Sequence, residues 1–199
     1  MCSPKRVYRK TKRAEDETRT SARIVDAAEA LHGTVGPANT TVSAIAERAG
    51  VTRATVYRHF PDDESLFLAC SGQWMSRQRP PDPDRWSAVD DALVRLREGL
   101  ADIYRYYRDG EQMLTLVHRD VDVVPAQVLA NRTSAERRWL ETLVQPFPGR
   151  RRMGLHAAVA HATSFTTWRS LCVDQTLPDP AAVDLMVGMV AAAREDPTT

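Results

Sequence analysis

Two short apolar stripes joined through a single glycine, in the stretch Thr40 to Phe60, restrict the fold of this chain more than any other feature. Thr40 and Thr41 offer hydroxyls that can cap free backbone N–H groups, and Val42, Ile45, Ala46 and Ala49 then recur at helical spacing. Gly50 ends that helix. Thr52 is a fresh N-cap, Val56 and Phe60 lie four apart on one face of a third helix, and Pro61 closes it. Ile45, Ala46 and Ala49 form a small-residue face, Gly50 turns the chain and Val51 plugs the junction, so the two helices pack at a steep angle.

With Val56 and Phe60 facing inward, Ala54, Thr55 and Arg58 point outward, flanked by Arg53, Tyr57 and His59. Such a face fits a DNA major groove. Arg53 or Arg58 can present a bidentate fork to guanine O6 and N7, the Thr55 methyl suits a thymine methyl, and short Ala54 lets the helix approach closely.

The flanks extend this pattern. Upstream, Ile24, Ala27, Ala28 and Leu31 form one amphipathic helix that stops at Gly33, Gly36 and Pro37. Downstream, Asp62 can cap a fourth helix with Asp63 and Glu64 in its first turn and Leu66, Phe67, Cys70 and Trp74 as its stripe, reaching about Arg77. Three prolines between Arg79 and Asp84 mark a stiff connection and a domain boundary. Beyond it, Ser87 with Asp90 resembles a capping box, and Val89, Leu93, Leu96, Leu100, Ile103 and Tyr107 form a long stripe ending at Gly110. Further helical segments are predicted over 112–120, 126–145, 151–174 and 181–194, punctuated by Pro125, Pro146, Pro148, Pro178 and Pro180. No strand-like alternation competes, so the fold class is all-α. The expected organisation is an unstructured basic arm (1–18), a helix-turn-helix domain with its connecting fourth helix (19–78) and an all-helical domain (85–195).

The net charge is only +1, yet Lys5, Arg6, Arg9, Lys10, Lys12 and Arg13 precede the first acid, Glu15. Such an arm is drawn to phosphate or remains merely solvated. Cys2, Cys70 and Cys172 show neither paired nor metal-like spacing, which implies reduced thiols in a cytoplasmic protein. Arg23, Asp26 and Glu29 interrupt the apolar positions from Ala22 to Leu31, excluding a signal-peptide core, and no apolar run reaches membrane length.

The stretch TTVSAIAERAGVTRATVYRHF, followed by an acidic helix start and Leu66, resembles the N-terminal domain of TetR-family regulators over roughly residues 20 to 70. The resemblance implies a homodimeric, ligand-responsive repressor of a double-stranded, pseudo-palindromic operator. It makes Thr52 to His59 the recognition helix, with Tyr57 and His59 on the DNA backbone and Thr41 and Ser43 also within reach of DNA. One departure is Asp63, where the family usually has a phosphate-binding lysine. In the family the last two long helices form a four-helix dimer interface, and two segments here suit that role. One is the alanine-rich stretch within 151–174; the other carries the stripe Val183, Met186, Val187 and Val190.

Tyr104, Tyr107, Met113, Trp139, Phe165 and Trp168 are candidates to line an inducer site, although core packing explains such residues too. Arg119, His161 and Arg169 are candidates to orient an anionic ligand. His156 and His161 are five apart and do not form the four-apart pair of a zinc site. Neither a phosphate loop nor a nucleophile elbow is present, and His118 with Asp120 lacks a nucleophile, so no enzyme, metal or cofactor is expected. Two other readings stay open: a constitutive DNA-binding module whose C-terminal region only dimerises or docks a partner, and an enzyme with an appended DNA head.

Overall fold

The computed structural model describes residues 4–148 and 153–195, which form α-helices and short helical turns with no strand among them. The chain divides into two compact units. The first comprises residues up to Arg77 together with Gln112–Val128, and the second comprises Gln78–Glu111 and the chain from Leu129 onward.

In the first unit α1 (Pro4–His32), α2 (Val42–Ala49), α3 (Arg53–His59) and α4 (Asp63–Arg77) enclose one core. Ile24, Ala28, Ile45, Ala49, Val56, Leu66 and Cys70 are buried there together, with Val51 and Phe60 packed against them. These are the positions whose spacing predicted the helices. Of the segment expected to be an unstructured arm, residues 4–18 instead belong to α1, which begins at Pro4, and residues 1–3 lie outside the described residues. Lysine and arginine are good helix formers, and the acids Glu15, Asp16 and Glu17 follow them on the same helix. The side chains of Lys5, Arg6, Arg9, Lys10 and Arg13 lie outside the described set, as do Cys2 and Arg151; Lys12 is exposed.

Polar contacts that the spacing did not announce lock α1 to α4. Gln73 Nε2 donates to Asp26 Oδ1 at 2.8 Å and to Glu29 Oε2 at 2.7 Å, and Arg77 forks onto the same two carboxylates at 2.9 Å each. Beneath them, buried His32 lies 4.6 Å from the Phe67 ring and its Nδ1 is 3.3 Å from Cys70 Sγ. Burial lowers the His32 pKa to about 4, so the ring is neutral. Burial, with the Glu29 charge, pushes the Cys70 thiol up to about 12, so it stays protonated.

The same unit contains α7 (Glu111–Arg119) from Gln112 onward. Asp120 Oδ2 accepts the Ala38 N–H at 3.0 Å, and Arg119 Nη2 donates to the Val35 carbonyl at 2.9 Å. The turn between α1 and α2 is thus tied down by residues far along the chain. Arg119, a candidate for orienting a ligand, is committed to this clamp and to Asp120, whose Oδ1 lies 2.7 Å from its Nε.

The second unit contains α5 (Pro83–Ser87), α6 (Ala92–Asp109), the part of α8 (Ala126–Val144) from Leu129, α9 (Met153–Ala162), α10 (Phe165–Trp168) and α11 (Asp179–Glu195). The proline-rich connection includes α5, with Pro83 in its first turn and Asp82 as its cap. The cap of α6 is Asp91, which accepts the N–H groups of Leu93 and Val94 at 3.0 and 2.9 Å, rather than Ser87. Helix α6 runs close to α8, because a Cβ on Gly99 would stand 2.5 Å from Leu143 Cδ2. Buried Arg95 braces this unit by donating to the carbonyls of Val89, Ser87 and Thr142 and to Gln145 Oε1.

The segment 151–174, predicted as one helix, is broken. Thr163 Oγ1 turns back to the Val159 carbonyl at 3.0 Å, and Ser164 adopts extended backbone before α10 begins. After Trp168 the chain continues as a wide π-type turn, Arg169–Asp174. The stripe Val183, Met186, Val187 and Val190, expected to face a second subunit, is buried within this one, where α11 packs on α6 and α9. Periodicity identified an apolar face but not what covers it.

Candidate nucleic-acid interface

The geometry of α3 is set by its two ends. Thr41 caps α2 by accepting the Ala44 N–H at 3.1 Å, and α2 stops at Gly50, whose φ of 62° and ψ of 42° place it in the left-handed region. A side chain there is strained, and a Cβ would stand 2.8 Å from Arg23 Nη2. Arg23 reaches from α1 to the carbonyls of Ala49 and Gly50, where its charge also suits the C-terminal end of α2. This tie carried no periodic signal in the sequence. Two residues on, Thr52 Oγ1 accepts the Thr55 N–H at 3.2 Å and starts α3.

With Val56 buried and Phe60 turned toward the core, α3 exposes Arg53, Ala54, Tyr57 and Arg58. Tyr57 keeps 43% of its surface open, so its ring is available on the outer face of α3. Thr52 is exposed, while Thr55 and His59 are half-buried at the edges. The Thr55 hydroxyl lies 3.0 Å from that of Thr52, so the centre of the outer face falls on Arg53, Ala54, Tyr57 and Arg58 rather than on Thr55. Thr41 and Ser43, at the start of α2, are exposed as well. The structure therefore brings all nine DNA-site candidates onto one short helical pair.

The next helix begins with acid. Asp62 caps α4 by accepting the Ser65 N–H at 2.7 Å, a bond that holds its carboxyl below the usual range, and Asp63 stands exposed in the first turn. A phosphate near this end would meet the helix's N–H groups and a carboxylate together.

Of the ligand-site candidates, Tyr104, Tyr107, Trp139, Phe165 and Trp168 are buried in the second unit. Tyr107 sits 5.3 Å from Phe165, 5.9 Å from Trp168 and 6.4 Å from Trp139 between ring centres. Two of the hydroxyls have structural work. Tyr104 donates to the Ala162 carbonyl at 2.9 Å and Tyr107 to that of Thr163 at 2.7 Å, satisfying groups freed by the break between α9 and α10. His161 is exposed beside Thr167, and half-buried Arg169 lies 3.5 Å from Asp174. Met113 belongs to the first unit, its Cε 3.3 Å from where a Gly33 Cβ would stand.

An exposed Arg- and Tyr-bearing helix, held at a glycine-turned angle to its capped predecessor, has the geometry of a helix-turn-helix. Comparison with known proteins carries this further. Residues 24–70 match the model of the bacterial regulatory proteins, tetR family. The chain is 46% identical over 63 residues to the HTH-type transcriptional regulator TtgR of Pseudomonas putida, covering 32% of this chain and 29% of TtgR. It is 44% identical over 59 residues to AcrR of Shigella flexneri, covering 30% and 26%. An uncharacterised HTH-type transcriptional regulator of Mycobacterium tuberculosis is 28% identical over 111 residues, 54% of this chain and 55% of its own length. The match thus spans under a third of TtgR and AcrR. The likeness in sequence is thus strongest over the helix-turn-helix part, which is similar to the corresponding part of tetR-family regulators.

The fold is shared over a longer stretch. A TetR-like transcriptional regulator from Rhodococcus sp. RHA1 matches with a TM-score of 0.58 at 17% identity, covering 86% of this chain and 93% of that one. NalD of Pseudomonas aeruginosa, the secondary repressor of the MexAB-OprM multidrug efflux pump, matches with a TM-score of 0.58 at 20% identity, covering 90% and 97%. At such identities the likeness is one of fold.

Proposed function

We propose that this chain is a homodimeric transcriptional repressor that places two recognition helices on a pseudo-palindromic operator and releases it when a small molecule binds in the C-terminal unit. The observation that carries the reading is the exposed α3 face of Arg53, Ala54, Tyr57 and Arg58, held by the Thr52 cap and the Gly50 turn. Repression as the outcome is supported by the likeness in fold to NalD, itself a repressor. The reading assigns no catalytic residue, cofactor or metal. It places the protein in the cytoplasm, consistent with the described residues holding no helix long and apolar enough to cross a membrane.

Dimerisation follows from what one head can do, since one recognition helix reads too few bases for operator affinity. The surface that suits a second copy is the outer side of α9 and α11. Ala181, Leu185, Gly188 and Ala192 line one exposed stripe of α11, and Met153, Gly154 and Ala157 are exposed on α9. Small residues let two helices approach closely, and Leu185, 51% exposed, supplies an apolar knob at their centre. For a ligand to release DNA, it must prefer the dimer state that fits the operator poorly.

The dense packing of Tyr107, Trp139, Phe165 and Trp168 favours a second reading, in which the C-terminal unit only dimerises. Selection of host genomic fragments on the purified protein tests the main one. Enrichment of a palindrome with half-sites about one helical turn apart, or a multiple of it, supports it. Recovery of fragments without a shared sequence sinks it.

A further inference from the structure

Helix α8 carries a mismatch between burial and chemistry. From Leu129 its inward stripe runs through Arg132, Glu136, Trp139 and Leu143. The C-terminal half is apolar and closed: Trp139, Leu143 and Val144 are buried. A helix facing a core is expected to keep such residues along its whole inner stripe. Instead, two turns and one turn before Trp139, the stripe bears an arginine and a glutamate, both half-buried.

The guanidinium is poorly satisfied. Arg132 Nε and Nη1 are shut off from solvent and make no hydrogen bond within the described residues. The opposite charge beside them is Glu136 Oε1, 3.5 Å from Nε, an ion pair too long to count as a good hydrogen bond. Burial raises the Glu136 pKa, and the charge of Arg132 pulls it the other way. Buried donors of this kind are normally paired, and each exception calls for a reason.

The surroundings suggest one. Arg132 and Glu136 stand seven and three residues before buried Trp139 on the same face of α8, and the ionisation of Tyr106 and Tyr107 on α6 feels both charges. Tyr106 is 6.1 Å from Trp139 between ring centres, with the rings nearly perpendicular. An arginine fork with unused donors therefore stands at the edge of an aromatic wall formed by α6 and α8.

We propose that Arg132 anchors the ligand of the C-terminal unit and that this ligand is a flat aromatic carboxylate, its ring against Tyr106 and Trp139 and its oxygens on Nε and Nη1. The proposal rests on the ligand-responsive reading and names the chemistry of its ligand. A guanidinium matches a carboxylate bidentately, through two parallel N–H groups, which a point-charge ammonium cannot do. An aromatic cation would meet the same Arg132 charge and be repelled. Glu136 opposes a carboxylate least in its protonated form, in which it can donate a hydrogen bond.

The test uses the full chain and three probes, benzoate, 2-naphthoate and indole-3-acetate, each paired with its neutral amide, by titration calorimetry. The expected result is that at least one acid binds at least ten-fold more tightly than its amide. Arg132→Met should remove that preference while leaving amide binding unchanged, and Arg132→Lys should recover it only in part. Met matches the arginine stem in bulk and removes unpaired donors, so thermal stability should hold or rise. The proposal is overturned if none of the acids binds, if acid and amide bind alike, or if Arg132→Met keeps the preference. Operator binding by the unliganded wild-type chain is scored separately. Its absence fails the regulator reading, whereas an intact operator complex with carboxylate binding indifferent to Arg132 fails this proposal alone.

Discussion

Acidification from about pH 7 to about pH 5 isolates one buried group in the helix-turn-helix unit. His32 is packed between Phe67 and the Cys70 thiol, and burial lowers its pKa from 6.5 to about 4. The folded state thus takes up this proton less readily than the unfolded chain. A group of this kind contributes its full stability above the unfolded value, loses it as pH falls below 6.5, and levels off below about 4. The whole span is worth about 3 kcal/mol, of which about 2 kcal/mol is lost between pH 7 and pH 5. That is a large part of the roughly 5–15 kcal/mol that holds an ordinary domain together. The check is urea unfolding at several pH values in this window for wild type and His32→Gln, comparing slopes rather than absolute stabilities. The wild type should lose about 2 kcal/mol more than the variant across the window. Parallel curves, or an NMR titration of the His32 ring near its ordinary value, would refute the reasoning.

Arg53→Ala should weaken specific operator binding by about 1–3 kcal/mol and relax base preference at one position per half-site; an equal loss on every sequence would mean a phosphate contact instead. Asp63→Lys should tighten binding at low salt and steepen the salt dependence by about 0.9 per phosphate gained, read by fluorescence anisotropy, whereas parallel lines would place α4's start away from the backbone. Leu185→Glu should convert dimer to monomer in sedimentation with little change in the subunit's fold, because Leu185 is half-exposed while neighbouring Val187 is core. A variant that stays dimeric would move the seam elsewhere. Asp120→Ala should speed hydrogen exchange in a peptide spanning Val35 to Thr40, since the Ala38 N–H loses its acceptor. Unchanged exchange would show that the clamp contributes nothing.

The head was legible because its determinants are local. Thr41, Gly50, Thr52 and Val56 act within a few residues of themselves, and caps and spacing describe such effects completely. Features that depend on distant partners were not. The periodic apolar pattern runs straight through Thr163 and Ser164, and the break there is stabilised by hydroxyls on Tyr104 and Tyr107, 58 and 56 residues away. The Val183 to Val190 stripe was read correctly as apolar, yet a periodicity cannot distinguish a cover from the same chain from one supplied by another copy. Arg132 and Glu136 were passed over for a related reason, because a charged pair among polar neighbours reads as a solvated surface until its burial is known.

The clamp on the turn between α1 and α2 has a consequence for synthesis. Val35 and Ala38 meet Arg119 and Asp120 across sequence separations of 84 and 82 residues. At roughly 5–20 residues per second, the partners follow about 4–16 s later. During that interval α2 and α3 already exist as polymer, while the turn feeding α2 holds its Val35 carbonyl only through Asn39 and has its Ala38 amide open to water. The nascent head is therefore a looser object than the finished one, and it closes only when a piece of chain from beyond α6 has been made.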